Sequence, residues 1–277
     1  MQSPLTQITR FQNIERRFSS WSYAVPGFEK IFHTFCTTPP GMTKSEGLLN
    51  ESSGKYVWHL CQGGYDFAFK INPGKTPWRY IFSPSLAARE ALNYQKFAAL
   101  GLPTAQLLGV ADQRNFFILK KSFIATGFLT GTQDGRLFMP GNPLYTDSVK
   151  KAEFTKQNME HLATAHDARI YHKAFHPRNL LWRDEENNKM QTFWIDVARC
   201  RSVSMSAMPR AILVDLHTFF RDMRMTCREM EQAVTTYLAA RKNGTYPGGK
   251  EQLIHDLFHF KRRIFSRKKY KITAEQE

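Results

Sequence analysis

Four polar side chains of this sequence have the types and the order that chemistry on phosphate groups requires. Lys70 lies near the end of an apolar, strand-like run and Glu90 follows twenty residues later, while Asn179 precedes Asp196. An ammonium group neutralises phosphate oxygens, a carboxylate can hold that ammonium in place, and amide and carboxylate oxygens suit Mg²⁺. The pattern therefore predicts a site for ATP and Mg²⁺, with Lys70 and Glu90 on the nucleotide and Asn179 and Asp196 as metal ligands.

The segment YHKAFHPRNLLW, residues 171–182, surrounds Asn179. It follows the pattern of a kinase catalytic loop, His-x-Asp-x-x-x-x-Asn, except that Ala174 stands where the aspartate belongs. That aspartate orients or deprotonates the acceptor hydroxyl, which a methyl group cannot do. We therefore predict that the chain binds Mg-ATP but transfers phosphate more slowly, by about 10²-fold or more. His172 is predicted to support the loop from the core, and His176 is a weaker candidate for the missing base.

The residues of the nucleotide side are predicted to lie on a hairpin and on the helix after it. The runs KYVWHL and YDFAFKI flank Gly63 and Gly64, which predicts two antiparallel strands with Lys70 on the second. The segment SLAAREALNYQKFAALG has helical periodicity and contains Glu90. Two further strands, AQLLGV and NFFILKK, are predicted on either side of a turn at residues 111–114.

The rest of the chain is predicted to be mainly helical. Helical periodicity extends over AEFTKQNMEHLATAHDARI before the loop, and FWIDVARCR predicts a short strand after it. Further helices are predicted around residues 210–224, 226–242 and 248–266. The predicted fold class is α+β, with a small antiparallel β lobe (residues 41–124) that contains one main helix, and a larger helical lobe (residues 125–277). Residues 1–40 are predicted to form an N-terminal extension, in which a helix over 8–35 packs on the domain or on a membrane.

The charge of the chain indicates an anionic partner. Its 39 lysine and arginine residues outnumber 24 aspartate and glutamate residues, which gives a formal net charge of +15. Seven of the basic residues lie in KRRIFSRKKYK, residues 261–271, where apolar residues alternate with them. This composition predicts contact with an acidic membrane surface. Nucleic acid is not expected as a partner, because no recognisable nucleic-acid-binding module accompanies the charge.

Cysteine spacing and hydropathy exclude several protein classes. The four cysteines lie far apart and have neither metal-binding nor disulfide-framework spacing. No apolar segment has the length of a signal peptide or of a membrane span. These features predict a protein with reduced thiols in the cytoplasm.

Several segments together resemble one family of kinases. They are YVWHLCQGGYDFAFKINPG, AAREALNYQKFAALGLPTAQLLGV, LATAHDARIYHKAFHPRNLLW, WIDVARCR, DLHTFFRDM and FKRRIFSRKKYK, and they cover roughly residues 50–271. The chain is similar in these segments to the Kdo/heptose kinases, which are lipopolysaccharide core kinases with a protein-kinase-like, bilobal fold. The resemblance implies ATP and Mg²⁺ as cofactors and transfer of the γ-phosphate to a hydroxyl of heptose or Kdo. It also implies lipopolysaccharide core or a lipid A-core precursor as substrate, and a peripheral place on the cytoplasmic face of the anionic inner membrane.

The resemblance assigns a supporting role to Asp215, in VDLHTFF. The sequence lacks the glycine-rich phosphate-binding motif of protein kinases. Asp215 would accept hydrogen bonds from the backbone of the catalytic loop, while an ordinary helix N-cap is the alternative reading of this residue. No G-x-G-x-x-G loop precedes the hairpin, so a looser loop within residues 41–56 would have to cover the phosphates.

Two other functions fit part of the pattern. HPRN in the loop also occurs in small-molecule kinases of the aminoglycoside or choline type, although such enzymes have no need of a basic, membrane-seeking segment. Ala174 suggests instead a nucleotide-binding pseudokinase that regulates a partner. A deliberate Asp→Ala change is a further explanation of Ala174, and the retention of Lys70, Asn179 and Asp196 favours it over natural loss of activity.

Overall fold

The computed structural model describes residues 19–40, 47–52, 54–74, 77–185, 189–244 and 246–260. Contacts divide the chain into two units: one contains the residues up to Lys96 together with Ala105–Thr130, and the other contains Phe97–Thr104 and the residues from Gly131 onward. The predicted basic segment 261–271, the residues of the predicted N-terminal helix before 19, and residues 41–46 of the predicted phosphate-covering loop lie outside the described residues.

The first unit is built on an antiparallel sheet that has six strands within the described residues, in the order β1-β5-β6-β4-β3-β2. The strands are β1 (Trp21–Ala24), β2 (Leu48–Ser52), β3 (Lys55–Gln62), β4 (Tyr65–Pro73), β5 (Leu107–Asn115) and β6 (Ile118–Gly127). The helices are α1 (Glu29–Thr37) and α2 (Leu86–Ala99). The predicted hairpin is confirmed as β3 and β4, since Gly63 and Gly64 form its turn with φ of 59° and 79°. Left-handed conformations at both positions are those of the tight hairpin turns that glycine favours.

The N-terminal aromatic segment differs from the predicted helix over residues 8–35. Its described part contains β1, which pairs with β5 through Tyr23 and Val110, and then the separate helix α1. Pro26 and Gly27 separate the two elements, and Gly27 has a φ of 88° that a helix cannot accommodate. The segment therefore completes the edge of the sheet with a strand and covers one face of it with a helix.

The turn predicted at residues 111–114 is wrong. Strand β5 continues through these residues to Asn115, and the chain reverses at Phe116 and Phe117. Two of the polar residues that suggested a turn, Asp112 and Arg114, are buried, and Arg114 Nη2 donates to Asp112 Oδ2 at 2.9 Å, whereas Gln113 between them is exposed. The ion pair offsets part of the cost of burying both charges, although burial still raises the pKa of Asp112. Asp112 and Arg114 can therefore lie in a buried strand and do not need the solvent exposure that a turn would provide.

Strand alternation separates the core of the first unit from its polar face. Helix α1 places Phe28 and Phe32 against Phe67 and Phe69 of β4, and all four side chains are buried. Successive residues of a strand point to opposite faces. Lys70 therefore lies on the face of the sheet opposite to the one that α1 covers.

The second unit consists mainly of helices, as predicted. Its described helices are α3 (Ser148–Asp167), α4 (Met208–Met223), α5 (Cys227–Ala240) and α6 (Gly249–His259). Short strands accompany them, namely β7 (Gln133–Asp134), β8 (Ile170–Tyr171), β9 (Leu180–Asp184), β10 (Met190–Trp194) and β11 (Arg201–Ser202). None of the described helices combines the length and the apolar composition that a bilayer span requires.

Candidate active site

The first unit brings Lys70 and Glu90 together as an ion pair. Lys70 lies on β4 between its neighbours Val57 on β3 and Ile124 on β6, and Glu90 lies on α2. Lys70 Nζ donates to the two carboxylate oxygens of Glu90 at 3.2 and 3.0 Å. The side chain of Lys70 is 17% exposed and that of Glu90 is 4% exposed. A carboxylate so deeply buried depends on this ammonium, so each residue fixes the position of the other.

A second polar cluster, centred on strands β3 and β4, was not recognised in the sequence. His59 Nε2 donates to Asp66 Oδ1 at 2.5 Å, and Thr130 Oγ1 and Cys61 Sγ donate to the same carboxylate group. The hydrogen bond from His59 holds the pKa of Asp66 below its ordinary value. The ligand atoms of His59, Cys61 and Asp66 lie within 4.8 Å of one another, as metal ligands would. The hydrogen bonds among them account for the arrangement without a metal ion.

The second unit holds Ala174 and Asn179 in one compact loop between β8 and β9. The carbonyl oxygen of Ala174 accepts a hydrogen bond from Asn179 Nδ2 and another from the backbone N–H of His176, each at 2.8 Å. Ala174 is buried, with 5% of its surface exposed. Since the amide nitrogen of Asn179 faces the loop backbone, its side-chain oxygen is the atom suited to bind a cation.

Pairing between β9 and β10 fixes Asn179 relative to Asp196. Leu180 pairs with Trp194, and the backbone N–H of Ile195 donates to the carbonyl oxygen of Asn179 at 2.9 Å. Asp196 follows directly, is exposed, and has a left-handed backbone with φ 52° and ψ 45°. This conformation costs most residues with a side chain about 1–2 kcal/mol, and aspartate is one of the few that adopt it as single residues. Such local strain is characteristic of functional sites, where the surrounding structure holds it in place.

Asp215 anchors the start of the catalytic loop. Its Oδ2 accepts from the backbone N–H of His172 and its Oδ1 accepts from the backbone N–H of Lys173, both at 2.8 Å. The N-cap reading of Asp215 is wrong, because α4 begins at Met208 with Ala207 as its N-cap and Asp215 lies within the helix. The family resemblance suggested that a buried carboxylate accepts hydrogen bonds from N–H groups of the loop, and this role of Asp215 is confirmed.

A buried network behind Asp215 was not predicted. His166 Nε2 donates to Asp215 at 3.3 Å, and His166 Nδ1 accepts from the hydroxyl group of Tyr237 at 2.8 Å. Arg241 donates to the oxygen of Tyr237 and to Asp167. Burial lowers the pKa of His166, so the neutral imidazole that this hydrogen-bond pattern requires is the stable form. The residues come from helices far apart in sequence, and no local pattern could have indicated their contact.

The side chain of His172 supports the loop by packing against aromatic rings. Its ring packs against the rings of Phe175 and Trp194, with centroids 5.4 and 5.1 Å away. Neither ring nitrogen has a hydrogen-bond partner among the described residues. Burial lowers the pKa of His172 to about 4, so the ring is neutral at physiological pH.

This burial predicts a specific sensitivity to acid. A histidine has an ordinary pKa of 6.5, so between pH 6.5 and about 4 the unfolded chain binds a proton at residue 172 that the folded chain does not. The free energy of unfolding is therefore not reduced by His172 above pH 6.5, and it decreases as the pH falls from 6.5 to about 4. We expect His172→Phe to shrink the difference in unfolding free energy between pH 7 and pH 5 by about 2 kcal/mol. Urea unfolding at both pH values measures this difference.

The matched control for this experiment is His255→Phe. The side chain of His255 is 63% exposed and its pair with Asp256 lies at the surface, where such pairs contribute little, so its replacement should change the acid sensitivity far less than that of His172. Equal acid sensitivity in the two variants would contradict the buried, neutral state of His172.

The side chain of His176 is hydrogen-bonded to Asp222 on α4. His176 Nδ1 donates to Asp222 Oδ2 at 2.6 Å, and Arg221 donates to the other oxygen of the same carboxylate. Burial would raise the pKa of Asp222, but the hydrogen bonds from His176 and Arg221 outweigh it and lower this pKa. Asp222 was missed in the sequence, although it follows Asp215 by two helical turns and so lies on the same face of α4.

Comparison with known proteins agrees with this geometry. Residues 73–237, more than half of the chain, match the model of the lipopolysaccharide kinase (Kdo/WaaP) family. The chain belongs to this family. Its members are phosphotransferases that act on sugars of the lipopolysaccharide core, so the predicted family and enzyme class are confirmed.

Structural comparison supports the same fold. A solved structure described as WaaP in complex with acyl carrier protein matches with a TM-score of 0.61 at 14% identity, over 85% of this chain and 92% of that chain. The protein-kinase-like α+β fold predicted from the sequence is therefore confirmed. No curated protein sequence matches the chain.

Proposed function

We propose that this lipopolysaccharide core kinase binds Mg-ATP and directs the γ-phosphate to a hydroxyl of heptose or Kdo, and that Ala174 makes the transfer slow. The observation that carries the proposal is the buried ion pair of Lys70 and Glu90. A lysine held by a carboxylate on the following helix can present its ammonium group to phosphate oxygens in a fixed position. The cross-strand neighbours of Lys70 are the apolar residues Val57 and Ile124, beside which a structural position would favour another apolar residue.

Each remaining residue has a distinct role in this proposal. The oxygen of Asn179 and the carboxylate of Asp196 form an oxygen-only donor set, which fits Mg²⁺ better than it fits a softer metal. Mg²⁺ held there would neutralise charge on the phosphates. His172 and Asp215 keep the loop in shape. Ala174 leaves the loop without a group that could take or orient the proton of the acceptor hydroxyl.

The acceptor class follows from the family and from charge. Lipopolysaccharide core precursors are anionic glycolipids in an anionic membrane, and a chain with a net charge of +15 is attracted to both. We infer a peripheral place on the cytoplasmic face of the inner membrane. Nucleic acid has no part in this proposal.

Ala174 favours one alternative, a pseudokinase that binds nucleotide and regulates a partner without transferring phosphate. Its loop would keep the same hydrogen bonds, because Asp215 and Asn179 anchor the backbone whatever residue occupies position 174. Nucleotide binding is common to both functions, and only phosphate transfer distinguishes them.

The first test is thermal unfolding with Mg-ATP. A ligand that binds the folded state at about 100 times its Kd should raise the Tm by on the order of 5 °C. We expect this rise with Mg-ATP, and a much smaller one when EDTA removes the metal or when Asp196→Asn removes a metal ligand. An unchanged Tm in Mg-ATP would overturn the proposed function and the pseudokinase alternative together.

A further inference from the structure

Four aromatic side chains of the first unit are exposed to solvent. The exposed fractions are 65% for Trp78, 80% for Phe82, 82% for Phe116 and 42% for Phe117. No other phenylalanine or tryptophan among the described residues is exposed to this degree. We call these four residues the aromatic patch. Exposed large apolar groups that gather in one place mark an interaction surface.

Specific contacts bring the two segments of the aromatic patch together. Arg114 Nη1 donates to the carbonyl oxygen of Tyr80 at 3.1 Å and to that of Phe117 at 3.2 Å, so one guanidinium group joins the segment after β4 to the turn between β5 and β6. Arg114 is held in turn by its buried ion pair with Asp112. The end of the sheet that presents the patch is therefore rigid.

Gly74 allows the backbone after β4 to lie close to β6. Its backbone N–H donates to the carbonyl oxygen of Lys120 at 2.9 Å, and a Cβ atom at this position would lie 2.1 Å from the carbonyl oxygen of Leu119. Only glycine fits so close to the neighbouring strand. The backbone on both sides of the patch is thus built to keep the two segments adjacent.

The turn that contains Phe116 and Phe117 has a backbone conformation that phenylalanine disfavours. Phe116 and Phe117 form a two-residue turn closed by the pair Asn115 and Ile118, and Phe116 has a φ of 52°. Glycine and asparagine are favoured at such a position because a bulky side chain is strained there. A phenylalanine that is strained and also exposed contributes little to folding, which points to a role in binding.

The charge around the aromatic patch indicates the kind of partner. Residues 74–84 and 113–121, which contain the patch, include no acidic residue. Lys120 is exposed and Lys121 is half-buried on β6, and the sequence adds Lys75 and Arg79 in the other segment. Arg114 does not count toward this charge, because Asp112 already neutralises it. Aromatic groups next to basic groups favour the interface of an anionic bilayer, where the rings enter the headgroup region and the cations meet lipid phosphates.

We propose that the aromatic patch inserts into the interface of an anionic membrane and docks the first unit there. The choice of partner rests on the proposed function, since the acceptor is anchored in such a membrane. The location of the patch rests on the structure alone. A turn tip with two phenylalanines suits a soft lipid layer, whereas a peptide or protein partner would be better matched by a groove.

Vesicle binding of the full chain tests this proposal. The vesicles contain equal parts of phosphatidylglycerol and phosphatidylcholine, and vesicles of phosphatidylcholine alone serve as the uncharged reference. The combined variant Phe116→Gly and Phe117→Ser should bind the anionic vesicles at least about 10-fold more weakly than the unaltered chain. Its Tm should be unchanged or higher, since glycine relieves the strained φ, so the loss of binding cannot result from unfolding.

The control variant is Val149→Ser in the second unit. Val149 is 77% exposed and belongs to the other unit, so this change removes an apolar side chain of similar exposure that is not part of the aromatic patch, and it should leave vesicle binding as it is. The fluorescence of Trp78 gives a direct readout, because its emission should shift to shorter wavelength on binding and the shift should vanish in Trp78→Phe.

Two results would overturn the proposal. One is undiminished vesicle binding by the turn variant, which would assign membrane contact to other basic segments. The other is vesicle binding without any change in the emission of Trp78. The Tm rise in Mg-ATP is measured separately, so failure of the proposed kinase function and failure of membrane docking are distinguishable.

Discussion

Replacing Ala174 with aspartate is expected to raise the rate of phosphate transfer to lipopolysaccharide core oligosaccharide by about 10²-fold or more. The loop around this position is already formed, because Asn179 and Asp215 hold its backbone through hydrogen bonds that do not involve the side chain of residue 174. Under the proposed function, the group that handles the acceptor proton is what the loop lacks. Initial rates with radiolabelled ATP and purified core oligosaccharide measure the effect.

The control for this gain is Ala174→Asn. Asparagine has nearly the size of aspartate but cannot accept a proton, so it should leave the rate close to that of the unaltered chain. An aminoglycoside panel as alternative acceptor tests the small-molecule reading. If Ala174→Asp binds Mg-ATP and yet transfers phosphate no faster than Ala174→Asn to any acceptor, the pseudokinase function is correct and the kinase function is not.

The second large effect is expected at Lys70. In the Ala174→Asp background, Lys70→Met should lower phosphate transfer by about 10²-fold or more, since removal of one preorganised charge from a transferring phosphoryl group has consequences of this size. It should also lower stability by about 3–5 kcal/mol, because the buried carboxylate of Glu90 would lose the ammonium group that donates to both of its oxygens. Transfer rates and urea unfolding measure the two losses.

A double variant separates these two losses. Adding Glu90→Gln to Lys70→Met removes the uncompensated charge and should recover most of the stability, while transfer stays low because the ammonium group is still absent. Lys96→Met, which changes an exposed lysine on the same helix as Glu90, should alter neither quantity. Recovery of transfer together with stability in the double variant would show that Lys70 acts only on the fold and would contradict its proposed contact with phosphate.

Local sequence patterns determined a large part of the architecture. Gly63 and Gly64 between two alternating runs specified the hairpin that carries Lys70, since few other residues adopt the backbone of such a turn. Periodicity located α2 and the helices of the second unit. The spacing of Ala174 and Asn179 identified the loop, because a hydrogen bond between residues five positions apart depends only on the local chain.

Tertiary structure alone decided the features that depend on distant partners. Asp112 and Arg114 suggest a turn when only their neighbours are considered, yet they lie in a buried strand, where the two charges pair with each other. Aspartate is a common helix N-cap residue, so the sequence alone allows that reading of Asp215. Its role as the anchor of the catalytic loop depends on the packing of α4 against His172 and Lys173, about forty positions earlier in the chain. Hydrogen bonding and charge pairing in the interior are settled by the folded chain as a whole, whereas turns and periodic faces are settled by adjacent residues.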